Sequence, residues 1–352
     1  LGQVKRNGYE MAVAEINAAG GVDGRPLELV IRDTGGEPRT AAAVAEQLLS
    51  AGGVRLLAGE CSSACAAAVA AVAQRYGVPY LVDTADDDAL TQQGWSYVFR
   101  LCQTAGLSVT TLTVFLAEVV RPRNLAVVYE DTDLGASAAR ALRGWCWTAG
   151  VPLALSQSFR SAASDFAPVV AAMGRARADA AVLVSSSPSD AALLIRRAKD
   201  EGPPPVLLAG VGPGFSESSF LAAAGDAAEN LFTVSGWAAG AGFPGAAEFA
   251  ETYRARYGQE PTSEAAQAYA CVTVIADALT RAASDDPARL SQALARTETV
   301  TVVGPVRFEK FGKYLNQNRP VGLVLQVQNG RPQIVWPPEA AKSEPRLSPR
   351  GG

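Results

Sequence analysis

Histidine is absent from the 352 residues of this chain. That removes serine–histidine–aspartate and cysteine–histidine nucleophile pairs, and the zinc ligand sets that mix histidine with cysteine. Long apolar runs are missing too: none reaches the roughly 18 residues that a membrane-crossing helix needs. No lysine/arginine cluster stands out and the net charge is −4, which argues against a nucleic-acid or anionic-membrane partner. The chain opens at Leu1 without an initiator methionine or a secretory leader, so a processed or trimmed product is expected. Cysteine is sparse. The five, Cys61, Cys65, Cys102, Cys146 and Cys271, are odd in number, so at least one is free or paired with another chain.

Hydrophobic residues make up 48% and charged residues 19%, the balance of a globular chain, and the length suffices for two domains with full cores. The organisation is a repeated strand–helix alternation. "NGYEMAVAEINAAGG" puts Tyr9, Val13 and Ile16 on one helical face and ends at Gly20-Gly21. "PLELVIRD" alternates as a strand, followed by a helix over about Thr40–Ser50, a strand Val54–Ala58 and a helix from near Ser63. Further strands are expected at Val78–Val82, Tyr97–Leu101, Asn124–Glu130, Leu153–Phe159, Ala180–Ser186, Pro205–Gly210 and Asn230–Gly236. Most are continuously apolar, as parallel strands covered on both faces are, which predicts doubly wound α/β sheets. Ten strands are too many for one ordinary sheet, so two lobes are expected. After Gly236 come two long helical stretches, then the hairpin "VGLVLQVQ-NG-RPQIVW" with a two-residue Asn329-Gly330 turn. Ala341–Gly352 reads as a disordered tail.

Two strand ends draw attention, because ligands of open α/β sheets sit beyond the carboxyl ends of the strands. In "GECSSACAAA", Ser62 or Ser63 falls at the N-cap of the next helix, where free N–H groups and the helix dipole favour an anion. The competing explanation is that the serines only cap the helix. A zinc or redox reading of Cys61 and Cys65 lacks further ligands, and the i, i+4 spacing suits a disulfide poorly. In "VDTADDDALTQQG", Thr84, Ala85 and Asp86 also follow a strand, while Asp87 and Asp88 are placed to start a short helix. Contiguous aspartates are not a calcium loop. "AGVGPGFSES" lacks the dinucleotide spacing, and no other cofactor or metal motif is present.

At length the chain resembles a known family. "GQVKRNGYEMAVAEINAAGGVDGRPLELVIRD", "ALTQQGWSYVFRL", "LGASAARALRGWCWTAGV", "SDFAPVVAAM", "AGDAAENLFTV", "AAQAYACVTVIADAL" and "VVGPVRFEKFGKYL" are similar, in order, to segments of type I periplasmic solute-binding proteins of the Leu/Ile/Val-binding kind. The likeness runs to about Pro337. It implies two doubly wound parallel-sheet lobes joined by three crossovers, near Pro122, Ala239 and Val321, that close like a hinge on a small ligand. The lobes would be 1–121 with 240–320, and 122–239 with 321–340. It also implies a periplasmic or extracytoplasmic, non-enzymatic protein that needs no cofactor and delivers an amino acid, amide or small carboxylate to an ABC transporter permease. The relatives begin with a strand ahead of "LGQ", so a stretch upstream is expected.

The resemblance carries over residue by residue. A serine that holds an α-carboxylate falls at Ser63, or at Ser62 if the loop is one residue shorter. A threonine and a backbone carbonyl fall at Thr84 and Asp86, with Ala85 between them. An aromatic cover falls at Leu134, a position often tyrosine at Ser187, the acid that meets the ligand's ammonium at Gly212, and another aromatic at Glu264. A buried ammonium without its carboxylate costs on the order of 3–5 kcal/mol. Either Asp86 and Glu264 replace the missing acid, or the ligand has no α-ammonium, and the lost aromatics imply a less apolar pocket than leucine needs. Two other readings stay open: a ligand-sensing module of the same fold, and a hydrolase using Asp86 and Glu264 as paired carboxylates.

Overall fold

Side-chain caps set several helix starts. Ser62, Thr132, Thr262 and Asp286 each accept a hydrogen bond from the N–H three residues on, satisfying a donor that the first helical turn leaves free. The structure is a computed structural model and describes residues 2–51, 53–162, 165–200, 207–216 and 218–348. The chain runs through α1 (Gly2–Ala18), α2 (Pro38–Ser50), β1 (Leu57–Gly59), α3 (Ser63–Tyr76), β2 (Tyr80–Val82), β3 (Val98–Arg100) and α4 (Ala105–Phe115). It continues with β4 (Leu125–Glu130), α5 (Asp133–Ala149), β5 (Leu153–Phe159), α6 (Ala167–Ala176), β6 (Ala180–Val184), α7 (Pro188–Asp200), β7 (Leu207–Val211), α8 (Pro213–Ser216), α9 (Ser218–Ala224) and β8 (Phe232–Ser235). Last come α10 (Ala246–Tyr257), α11 (Ser263–Ala282), α12 (Pro287–Ala295), β9 (Glu298–Thr301), β10 (Gly304–Arg307), β11 (Glu309–Phe311), β12 (Tyr314–Gln317), β13 (Leu323–Gln328) and β14 (Arg331–Trp336).

Two compact units result, Leu1–Thr104 with Gly242–Val321, and Ala105–Ala241 with Gly322–Gly352, so the chain passes between them three times. In the first unit the sheet order is β1-β2-β3-β12-β11, parallel except for β11. Val82 and Tyr80 point into a core with Ala41, Ala45 and Leu49 of α2 and Val69 and Ala73 of α3. α1 lies against α11 so closely that a Cβ on Gly8 would come within 2.3 Å of the Ala265 carbonyl oxygen; only glycine permits that approach. The second unit has the order β14-β13-β8-β7-β6-β4-β5, in which β5, β4, β6, β7 and β8 are parallel. Alternate residues of its strands fill two cores, Val127 and Val182 on one face and Val128 and Leu183 on the other. The β13–β14 hairpin turns at Asn329 (φ 55°) and Gly330 (φ 72°), the paired left-handed conformation a two-residue hairpin turn requires.

Several expectations are corrected. "PLELVIRD" forms no strand: among the described residues no strand pairs with it, its backbone is tied at Leu27 to the Asn17 side chain, and Val30 and Ile31 are exposed. The strand expected at Val54–Ala58 is found as the shorter Leu57–Gly59, with β2 as its neighbour among the described residues. On α1 the most buried face is Gly8, Met11 and Ala12, set by the contact with α11, while Tyr9, Val13 and Ile16 are half-buried. The first passage falls at Thr104–Ala105 rather than near Pro122, since α4 packs on α5, β8 and β13 of the second unit. The supposed tail is held as far as Ser348. Gln326 and Gln328 of β13 donate to the carbonyls of Arg346 and Glu344, at 2.7 and 2.9 Å, and Arg346 N donates back to Gln326 Oε1 at 2.8 Å. Residues 349–352, and Pro205 and Val206 of one expected strand, lie outside the described residues.

Candidate functional site

At the carboxyl end of β1 the backbone turns through Gly59 (φ 124°) and Glu60 (φ 72°). A left-handed conformation at a non-glycine residue stores about 1–3 kcal/mol of strain. Ser62 is the N-cap of α3, its Oγ accepting from Cys65 N at 3.4 Å. Ser63 Oγ accepts from Asp87 N at 3.2 Å, which joins the β1 and β2 loops. Among the described residues, neither serine hydroxyl proton has an acceptor, so both remain donors beside the positive end of a fourteen-residue helix.

The loop after β2 rests on a buried ion pair. Asp83 is wholly buried and accepts from Lys5 Nζ and from Tyr9 Oη, each at 2.7 Å. Thr84 Oγ1 accepts from the same Lys5 Nζ at 3.0 Å. Its proton goes to the Glu60 carbonyl at 3.0 Å, with Asp83 Oδ1 at 3.2 Å as the alternative acceptor. Its proton is thus already engaged, and Thr84 is left to accept rather than donate. Ala85 is buried, and its carbonyl receives the Cys102 thiol at 3.2 Å. Asp86 is half-buried; burial pushes its carboxyl up to about 6, against the pull of the Arg100 guanidinium. Asp87 caps the short 3₁₀ turn Asp88–Thr91, accepting from Ala89 N at 2.9 Å, the helix-starting role its position suggests.

All five cysteines are unbridged thiols. Burial raises the Cys61 thiol, and it pushes Cys102 up to about 12, so neither carries the low-pKa character of a reactive thiol. Glu264 lies in the first turn of α11, and its Oε2 is buried with no hydrogen-bond partner among the described residues. No hydrogen bond joins it to Ser63 or Asp86. The structure therefore brings Ser62, Ser63, Thr84, Ala85 and Asp86 into one pair of loops and leaves Glu264 on a separate element.

In the second unit, strand order reverses between β4 and β6, the switch point where open α/β sheets bind ligands. Leu134 and Ser187 sit in the first turns beyond these strands. Glu130, at the end of β4, is buried and accepts from Ser186 N (2.6 Å), Ser186 Oγ (2.7 Å) and Ser185 Oγ (3.4 Å), which pins the β6 loop to β4. Ser187 Oγ accepts from Asp190 N at 3.2 Å and caps α7. Gly212 has φ 103°, and a Cβ there would fall 2.6 Å from the Ser185 carbonyl oxygen and 3.5 Å from Leu134 Cδ2. Leu134, Ser185 and Gly212 are thus neighbours, and any side chain at Gly212, acidic or otherwise, would press on the Ser185 carbonyl from a strained backbone.

Sequence reasoning missed Lys5, Tyr9, Asp83, Glu60, Arg100 and Glu130. One signal was available: Asp83 and Glu130 are charged residues closing continuously apolar strands. Nothing in the spacing linked Lys5 to a residue 78 positions on.

Two α/β units between which the chain passes three times make this the fold of the two-lobe type I solute-binding class. The chain belongs to the family described as periplasmic binding protein, which matches residues 1–331. A curated relative, Leu/Ile/Val-binding protein homolog 7 of Brucella suis, is 32% identical over 361 residues, covering 99% of this chain and 90% of that one. Among solved structures, the branched-chain amino acid transporter substrate binding protein LivJ from Streptococcus pneumoniae, in complex with isoleucine, superposes with a TM-score of 0.82. It is 25% identical, over 96% of this chain and 95% of that chain. A solute binding protein of an ABC transporter from Rhodopseudomonas palustris BisB5, in complex with 3,4-dihydroxybenzoic acid, shares the fold with a TM-score of 0.79. It is 20% identical, over 94% and 90% of the two chains.

Proposed function

We propose that the protein captures a small amino-acid-like solute, amide or carboxylate outside the cytoplasm and presents it, chemically unchanged, to the permease of an ABC importer. The observation that carries this reading is the joined pair of loops after β1 and β2. Ser62 and Ser63 offer two hydroxyl donors at the α3 N-terminus, fit for a carboxylate or carbonyl oxygen. Asp86, one residue from the Ser63–Asp87 hydrogen bond, offers a carboxylate to an N–H or ammonium, and Thr84 offers a lone pair. In the first unit, the Asp86 carboxylate is the counter-charge offered to an ammonium on the solute. The isoleucine-bound relative supports an amino acid as the solute. The dihydroxybenzoate-bound structure supports a fold that also accommodates a carboxylate without an amine.

A thermal-shift screen over amino acids, their des-amino analogues and their amides tests the reading. A bound solute at a hundred times its Kd stabilises by about 2.7 kcal/mol. Ser63→Ala is expected to weaken every member that binds, and Asp86→Asn to weaken the amines and amides while sparing the des-amino acids. Chemical turnover of a bound solute would overturn the proposal. So would full affinity in both variants.

A further inference from the structure

Arg100 is wholly buried at the end of β3, and its guanidinium is divided among three partners. Nε donates to Gln317 Oε1 at 2.6 Å, Nη2 donates to Thr91 Oγ1 at 2.8 Å, and Nη1 donates to the Asp87 carbonyl. Gln317, wholly buried at the end of β12, uses its whole hydrogen-bonding capacity. Its Oε1 also accepts from Thr91 Oγ1 at 3.0 Å, and its Nε2 donates to the carbonyls of Cys102 at 2.9 Å and Asn318 at 2.6 Å. Asn318 extends the bracket, with Nδ2 donating to the Leu101 carbonyl and its backbone N to the Arg100 carbonyl, both at 2.9 Å. Tyr314 Oη donates to Asp88 Oδ1 from the same strand β12.

One connected buried network thus joins three things: the Asp86–Thr91 loop, the end of β3 leading to Thr104, and the end of β12 leading to Val321. The last two are the points where the chain leaves this unit. Buried polar networks of this kind hold their members to one geometry, because an unmade bond in low dielectric is costly. The network also carries charge. Asp86 is faced by Arg100 from β3 and by Asp87 and Asp88 from its own loop. Arg100 in turn is faced by Asp86, Asp88, Cys102 and Tyr314. Arg100 is the cation among these groups.

We propose that Arg100 and Gln317 are positioning residues of the solute site, fixing the shape and charge of the Asp86–Asp88 loop and tying it to two strand ends where the chain leaves the first unit. Its consequence for binding rests on Asp86 as a solute-contacting group, so the test has an arm that does not depend on a solute.

In the solute-free protein, Thr91→Val removes one hydroxyl from the bracket, and hydrogen exchange at the Asp87–Thr91 amides is expected to quicken at least tenfold. Arg100→Gln removes the cation, and the carboxylate NMR titration of Asp86 is expected to move to a midpoint above the wild-type value of about 6. Arg100→Lys keeps the charge but loses the fork, so the midpoint stays near wild type while exchange quickens. In the second arm, L-isoleucine is titrated into wild type and Arg100→Lys, with an affinity loss of at least tenfold expected in the variant. Wild-type exchange in Thr91→Val together with an unmoved Asp86 midpoint in Arg100→Gln overturns the proposal. Should the Arg100 variants fail to fold, wild-type exchange in Thr91→Val overturns it alone. If isoleucine fails to bind wild type, isoleucine alone is struck as the solute, and the first arm still decides the role of the bracket.

Discussion

Burial holds the Asp86 carboxyl above its ordinary value of 3.8, at about 6, and that shift has a sign for stability. The folded chain keeps the proton to a higher pH than the unfolded chain does. Stability therefore rises as pH falls from about 7 towards 4, and the charged carboxylate is a cost near neutrality. Asp86→Asn is expected to raise unfolding stability at pH 7.5 by about 1–3 kcal/mol and to leave it unchanged at about pH 2.5, where both side chains are neutral in the folded and the unfolded chain. Urea unfolding at the two pH values checks this, and a less stable variant at pH 7.5 would contradict it. The same substitution is expected to weaken amine-bearing solutes, so at this residue stability and binding oppose each other.

At the scale of elements, the loop after β2 owes its shape to α1. Burial alone would pull the Lys5 ammonium down. The charge of Asp83, with Cys61 and Glu60 and the hydrogen bond to Asp83, outweighs it and leaves Lys5 above its ordinary 10.5. A raised cation contributes stability that is complete below its unfolded value and is lost only as pH rises through its folded one. The α1–β2 contact is thus expected to be constant from pH 7 to 9 and to weaken only in strong alkali. Lys5→Met leaves Asp83 buried with only the neutral hydroxyls of Tyr9 and Thr84 as side-chain donors among the described residues, a change that costs about 3–5 kcal/mol. Chemical denaturation of Lys5→Met measures that loss; a variant within 1 kcal/mol of wild type would show that the pair is dispensable.

For the whole molecule, two units with separate cores give two places to destabilise. Gly8→Val drives a side chain into the Ala265 carbonyl of the first unit, and Gly212→Asp drives one into the Ser185 carbonyl of the second. Each is expected to cost about 2 kcal/mol or more. Calorimetry is expected to resolve two transitions, the first variant lowering one and the second lowering the other. A single transition lowered equally by both variants would mean that the units unfold as one.

The sequence by itself determined the layered architecture, because continuous apolar runs need covering on both faces and Asn-Gly enforces a tight hairpin turn. It also singled out the two loops after β1 and β2, since small hydroxyls before an alanine-rich helix leave little choice but an N-cap. Hydrophobic period says nothing about which strand finds a neighbour, so only the tertiary structure decided the order β1-β2-β3-β12-β11, which sets β12 from the end of the chain beside β3. Nor does it say which unit a helix joins: α4 follows its contacts with α5, β8 and β13, not its place in the chain. The Lys5–Asp83 pair and the Arg100–Gln317 bracket link residues 78 and 217 positions apart. Local patterning cannot register such pairs, because their energy exists only once the chain has folded and water has been excluded from between them.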